Sequence, residues 1–272
     1  MIINKKNQFV FVHIPKCGGT SVRNTLQSFD SCNGRFHERI GIHEELGQLD
    51  YTHIPLFTLR EYFPDEFEAV RDYHSFAVMR NPFSRFASSV SQYLKMYKPI
   101  HKCSAGEIQA VTKNTINHLS KLPRNKHQLS SQYIHFQKQF DYIELDGERI
   151  IDNIYTLNKI NELLLDVGRH VRQNLVDPAD KRNGASENRS FVFRNDHLRN
   201  TIEAARPVTN RLGKMLPEAF KKQIRNLTYV PRDQRTKALF TASHVKEFIK
   251  DYYADDIALY SHVSQQECSE TP

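Results

Sequence analysis

Phe9-Val10-Phe11-Val12-His13-Ile14-Pro15-Lys16-Cys17-Gly18-Gly19-Thr20-Ser21 is an apolar strand running into a Gly-Gly turn, with a lysine before the glycines and two hydroxyls after them. Two glycines let the backbone come close to an anion. A helix opening at Thr20 aims N–H groups and the positive end of its dipole at the same point. Lys16 adds a mobile positive charge there. The order departs from the G-x-x-x-x-G-K-[ST] of a Walker-type kinase loop, in which lysine follows the glycines and the next hydroxyl takes magnesium. Taken alone, the stretch also reads as an ordinary strand ending in a turn with a surface lysine.

A second stretch decides between these readings. The apolar run Ser75-Phe76-Ala77-Val78-Met79 ends in Arg80-Asn81-Pro82-Phe83-Ser84-Arg85-Phe86-Ala87-Ser88-Ser89. Asn81 suits an N-cap and Pro82 a first helical position. Phe83, Phe86, Ala87, Val90, Tyr93, Leu94 and Tyr97 then recur at three and four, the stripe of an amphipathic helix lying on a sheet. Ser84 and Ser88 fall one helical turn apart, so Ser88 can share a groove with an Arg80 leaving the strand end. An arginine fork beside a hydroxyl binds phosphate. Two such strand–loop–helix units place two anion sites along one edge of a parallel sheet.

On these residues the chain resembles the carbohydrate sulfotransferases that use 3′-phosphoadenosine 5′-phosphosulfate (PAPS). Ile14 to Ser21 is similar to their 5′-phosphosulfate loop, and Arg80 to Ser88 to their 3′-phosphate motif. Weaker likeness runs from Phe140-Asp141-Tyr142-Ile143-Glu144-Leu145 to about Val171 and over the C-terminal helix. The resemblance implies a donor-binding set of Lys16, Cys17, Gly18, Gly19, Thr20, Ser21, Arg80 and Ser88, with Cys17 where threonine is commoner. Asn188-Arg189-Ser190 resembles an Asn-x-Ser segment near the nucleotide in relatives, which adds Asn188 and Ser190; an ordinary polar loop is the other reading. It also implies that Lys16 stabilises the departing phosphate, that no metal is needed, and that PAP is the product. His53, in Asp50-Tyr51-Thr52-His53-Ile54-Pro55, stands between the two motifs where several relatives carry the base; His43, His74, Glu44 and Glu45 are the other candidates. His13, ending the first strand, is read either as shaping the loop or as a structural strand-end residue.

Composition agrees: 39% apolar and 25% charged residues in 272 describe an ordinary globular chain. Cys17, Cys32, Cys103 and Cys268 are scattered without zinc or disulfide spacing. No run of about 18 apolar residues and no signal h-region occurs, so no integral membrane segment is expected. Many animal relatives are Golgi membrane proteins, and without their anchor the chain reads either as a cytoplasmic, bacterial-type enzyme or as a trimmed piece of a longer protein. The net charge of +7 is matched by residues 95 to 140 alone, where Lys95, Lys98, Lys102, Lys113, Lys121, Arg124, Lys126 and Lys138 face only Glu107. That stretch is either a groove for an anionic acceptor such as an acidic polysaccharide, or a solvated basic face. Few aromatics among these residues and no recognised module argue against nucleic acid.

The expected architecture is a three-layer αβα domain over residues 1–263 of P-loop NTPase-like sulfotransferase type. Its mostly parallel sheet has strands near 8 to 14, 75 to 79 and 140 to 145, with a cleft at their carboxyl ends. A turn at Asp146-Gly147, a helix from about Leu157 to Arg172, a basic helical insertion at 200–237, a helix from about Ser243 to Tyr260 and a frayed tail at 264–272 complete the reading. Two other functions stay open: a P-loop-type kinase, and a non-catalytic module binding anionic glycan.

Overall fold

In a computed structural model, which describes residues 1–37, 39–97, 105–176, 191–193, 229–231, 240 and 242–269, the chain opens with a hairpin. Strands β1 (Ile2–Asn4) and β2 (Phe9–Val12) pair antiparallel, with Ile2 opposite Phe11, and every residue of both is buried. Asn4 closes the turn by accepting from the Asn7 N–H at 2.6 Å. Helix α1 (Gly19–Leu26), a small hairpin of β3 (Gly41–His43) and β4 (Gly47–Leu49), and helices α2 (Leu56–Tyr62) and α3 (Pro64–Asp72) lead back to β5 (His74–Met79). β5 lies parallel to β2, with Phe9 opposite His74. Near-continuous apolar runs in both strands suit a sheet covered on both faces.

Helix α4 (Pro82–Tyr97) follows directly and starts as its sequence dictates: the Asn81 Oδ1 accepts from the Phe83 N–H at 3.1 Å and the Ser84 N–H at 3.4 Å. Phe86, Val90 and Leu94 of its stripe are buried against α5 (Ala105–Leu119) and α7 (Ser243–Tyr252), counting α6 (Ile160–Val171) between them. The stripe of α6 is buried as its spacing requires, through Ile160, Leu163, Leu164 and Val167.

The sheet corrects one expectation. Residues 140 to 145 are not its third parallel strand: Phe140–Tyr142 form a 3-10 turn, and Glu144–Leu145 (β6) pairs with Glu148–Arg149 (β7) across the Asp146-Gly147 turn. The cause is local. The buried Asp256 carboxylate accepts from the Gln139 N–H at 3.0 Å and the Phe140 N–H at 2.9 Å, taking donors a ladder would need. The third parallel strand is β8 (Asn153–Thr156), beside β5 with Phe76 opposite Asn153. Sheet order is β1-β2-β5-β8, mostly parallel with one antiparallel edge.

The tail is also corrected. After α7 the chain breaks at Tyr253 and resumes as α8 (Ala254–Ser269), so residues 264 to 269 are helical. Glu267 holds this end to the sheet: its carboxylate accepts from the Thr156 N–H at 2.7 Å and the Thr156 hydroxyl at 2.8 Å. A third two-stranded ladder joins β9 (Phe191–Phe193) to β10 (Tyr229–Pro231). The expected helical insertion at 200–237 lies outside the described residues except for β10. No helix among the described residues is long and apolar enough to cross a membrane.

Candidate active site

All three parallel strands end at one cleft of about 340 Å³. His13, Lys16, Gly18, Gly19, Thr20 and Ser21 follow β2; Arg80 follows β5, with Ser88 and Gln92 further along α4; Leu157 follows β8. This edge of an open parallel sheet is where ligands bind in α/β proteins.

The first loop is shaped by its glycines. Gly18 adopts φ 83° and packs so closely on Leu157 and Ile160 that a Cβ there would lie 2.6 Å from Leu157 Cδ1. At Gly19 a Cβ would lie 2.1 Å from the His13 ring, so His13 and the missing side chain fit one another. His13 thus shapes the loop, in keeping with one of its two sequence readings. No side chain caps the first turn of α1, which leaves its amino end open to an anion. Lys16, itself at φ 65°, sends its ammonium across the cleft to donate to Gln92 Oε1 at 3.2 Å. Cys17 is the exception among the loop residues. Its thiol turns away into the core, donates to Gln139 Oε1 at 3.0 Å, and is pushed up to about 12 by burial. Only its backbone remains for a ligand.

Arg80 leaves β5 as the second loop requires. Its Nε donates to Ser84 Oγ at 3.0 Å, and Nη1 reaches the Lys16 carbonyl at 3.4 Å, so the two loops touch. Ser88 lines the same wall. Arg85 of this motif serves the core instead: it is buried 3.5 Å from Asp256, donates to the His135 carbonyl at 3.2 Å, and stacks on Tyr253.

His53 stands in the cleft with its Nδ1 3.1 Å from Asp50 Oδ2. The carboxylate is fixed in turn by the Thr52 N–H at 3.0 Å, and the His53 carbonyl accepts from the Tyr142 hydroxyl at 3.2 Å. Burial lowers the imidazole below its usual range, against the raising effect of Asp50. The ring is therefore neutral at pH 7, with Nδ1–H assigned to Asp50 and Nε2 left as acceptor. His13 and His135 flank it, with ring centroids 4.8 Å and 5.4 Å away. Burial drives both down as well, His135 to about 2. The alternative bases lie elsewhere. His43 accepts N–H groups of Glu45 and Leu46 in the β3–β4 turn, Glu44 and Glu45 are exposed there, and His74 opens β5 at the far end of the sheet.

Sequence reasoning did not find Arg23, Arg39, His37 and His135, which also line the cleft. These are isolated residues in loops and on helix faces with no local motif to mark them. With Lys16 and Arg80 they give four guanidinium or ammonium groups, and among the described residues no Asp or Glu lines the cleft. Of the basic segment, the described lysines and arginines of 95 to 140 do not line the cleft, and Arg124, Lys126 and Lys138 pair with Asp251, Asp146 and Asp255. Asn188 and Ser190 lie outside the described residues, as do Lys98 and Lys102.

A mostly parallel sheet that brings two basic loops and a buried, carboxylate-oriented histidine to one cleft defines an α/β protein with a strongly basic cleft. The chain belongs to the sulfotransferase family, whose family model matches residues 1–262. Membership makes it an enzyme of sulfotransfer. No curated protein and no solved structure matches the chain.

Proposed function

We propose that the protein transfers the sulfuryl group of PAPS to a hydroxyl of a carbohydrate, in line and without a metal, from a single three-layer P-loop-like domain. The observation that carries this reading is the cleft itself, where Lys16, Arg80 and Ser88 line one space with the uncapped end of α1 and with His53. When bound, PAPS supplies the sulfur electrophile and a stable leaving group. Lys16 and the N–H groups of Gly18 to Ser21 would hold the 5′ end, and Arg80 with Ser88 the 3′-phosphate, which positions the sulfate. His53 Nε2 takes the proton of the acceptor hydroxyl as its oxygen bonds to sulfur. The bond from sulfur to the bridging oxygen breaks, and Lys16 neutralises the charge left on the PAP phosphate. Lysine and backbone dipoles supply the charge that magnesium supplies in kinases.

Arg23, Arg39 and His37 exceed what the donor needs and suit an acceptor sugar bearing carboxylate or sulfate. PAP is expected to bind without magnesium, and Arg80→Ala to weaken it by about 10- to 100-fold, as for lost hydrogen bonds to a charged group. Calorimetry of both proteins, together with transfer of labelled sulfate from PAPS to carboxylated and neutral oligosaccharides, tests the reading. Unaltered PAP affinity in Arg80→Ala sinks the site assignment. Glycan binding that survives Lys16→Ala without any transfer would favour a binding module.

A further inference from the structure

Gln139 lies between the two loops, fully buried, and both ends of its amide are engaged. Its Oε1 accepts from the Cys17 thiol at 3.0 Å and the Arg80 N–H at 2.9 Å, while its Nε2 donates to the Arg80 carbonyl at 2.9 Å and to Asp256 Oδ2 at 3.4 Å. The register of β2 with β5 ends at Val12 opposite Ala77, just where the first loop departs. Beyond that point the Gln139 amide takes both backbone groups of Arg80, as a neighbouring strand would, and ties the first loop to them through Cys17. Asp256 holds the glutamine from behind through its backbone N–H at 3.0 Å, and is itself held by Arg85. No direct contact of Gln139 with the cleft enters this arrangement, since it is absent from the lining.

We propose that Gln139 is a positioning residue that fixes the separation of the two anion loops, so that a ligand with phosphates at both points binds far more tightly than a ligand with one. The inference rests on the donor-site reading above. A rigid spacing lets the second phosphate bind at high effective concentration without reordering the loop, an advantage lost when the loops move independently. A merely structural residue would weaken all ligands together.

The test compares the Kd of PAP with that of 5′-AMP, which carries the 5′-phosphate alone. In Gln139→Leu the preference for PAP over 5′-AMP should fall by about tenfold or more, with 5′-AMP affinity changed by less than about threefold. In Cys17→Ala, which removes one bond to the glutamine, the preference should fall by about threefold, and in Cys17→Ser, which keeps a donor, it should return to the wild-type value. Should circular dichroism show Gln139→Leu unfolded, the two Cys17 variants decide between them. Equal preference in Cys17→Ala, Cys17→Ser and wild type overturns the coupling alone, as does a parallel loss of both affinities in folded Gln139→Leu. A wild-type protein that binds PAP no more tightly than 5′-AMP overturns the donor-site reading as well.

Discussion

Gly19 and His13 are a matched pair, because a methyl group at residue 19 would occupy the space of the imidazole. Gly19→Ala is therefore expected to displace either the loop or the ring and to weaken PAP binding by about tenfold or more, as misplacement of a binding group does. The double variant with His13→Ala should recover much of that loss; if it binds no better than Gly19→Ala, the steric account is wrong. His53 makes a separate claim. His53→Ala should lower turnover by about 10²- to 10⁴-fold while PAP still binds, since the base acts on the acceptor. Because burial lowers this imidazole, the acid limb of the kcat/KM profile should fall below the ordinary 6.5, and it should fall because protonated His53 accepts no proton. Asp50 raises that value, so Asp50→Asn should shift the limb further toward acid and reduce the plateau as the ring loses its orientation. A limb unmoved in Asp50→Asn would assign it to another group.

At the scale of elements, α8 is joined to the cleft edge of the sheet through Glu267 and Thr156, the last residue of β8 before Leu157. Glu267→Ala leaves the Thr156 N–H and hydroxyl without that partner and should cost about 1–3 kcal/mol in urea unfolding; a cost near zero would return residues 264 to 269 to a frayed tail. This contact also shows where the sequence stops being legible. β2, β5 and α4 announce themselves through apolar runs, Asn81 and Pro82, because their determinants lie within a few residues of one another. β8 does not, since Asn153-Ile154-Tyr155-Thr156 is short, and what places it is Asp152, whose carboxylate accepts from the Ser75 N–H at 2.9 Å. Phe140 to Leu145 has the composition of a strand and is diverted by Asp256, more than a hundred residues away. The site divides in the same way. Lys16, Gly18, Arg80 and Ser88 are local motif residues, whereas Arg39, His135 and Gln139 reach their places only through tertiary packing.

Across the whole molecule, the cost of building this cleft is a buried, neutral histidine row. His13, His53 and His135 are each held below their ordinary 6.5, mainly by burial, so as pH falls through that value the unfolded chain takes up protons that the folded one resists. For groups with depressed folded values, stability is present above the unfolded value and is lost as pH falls toward the folded one. Asp141 opposes them: burial pushes its carboxyl up to about 7, so between that value and its unfolded 3.8 the folded chain holds one proton the unfolded chain lacks. The buried Met1 amine and His37, held down in the same way, add to the row, and Asp256, raised by burial, adds to Asp141; the lowered groups outnumber the raised ones, so stability falls as pH drops from 6.5 toward 5. Urea unfolding at pH 7, 6 and 5 should show this slope. His135→Gln, which removes one titrating ring from the row, should flatten the fall by on the order of 1 kcal/mol per pH unit. Stability that stays level from pH 7 to 5 would mean the row accepts protons in the folded state, and His53 would then not be the neutral base that the proposed transfer requires.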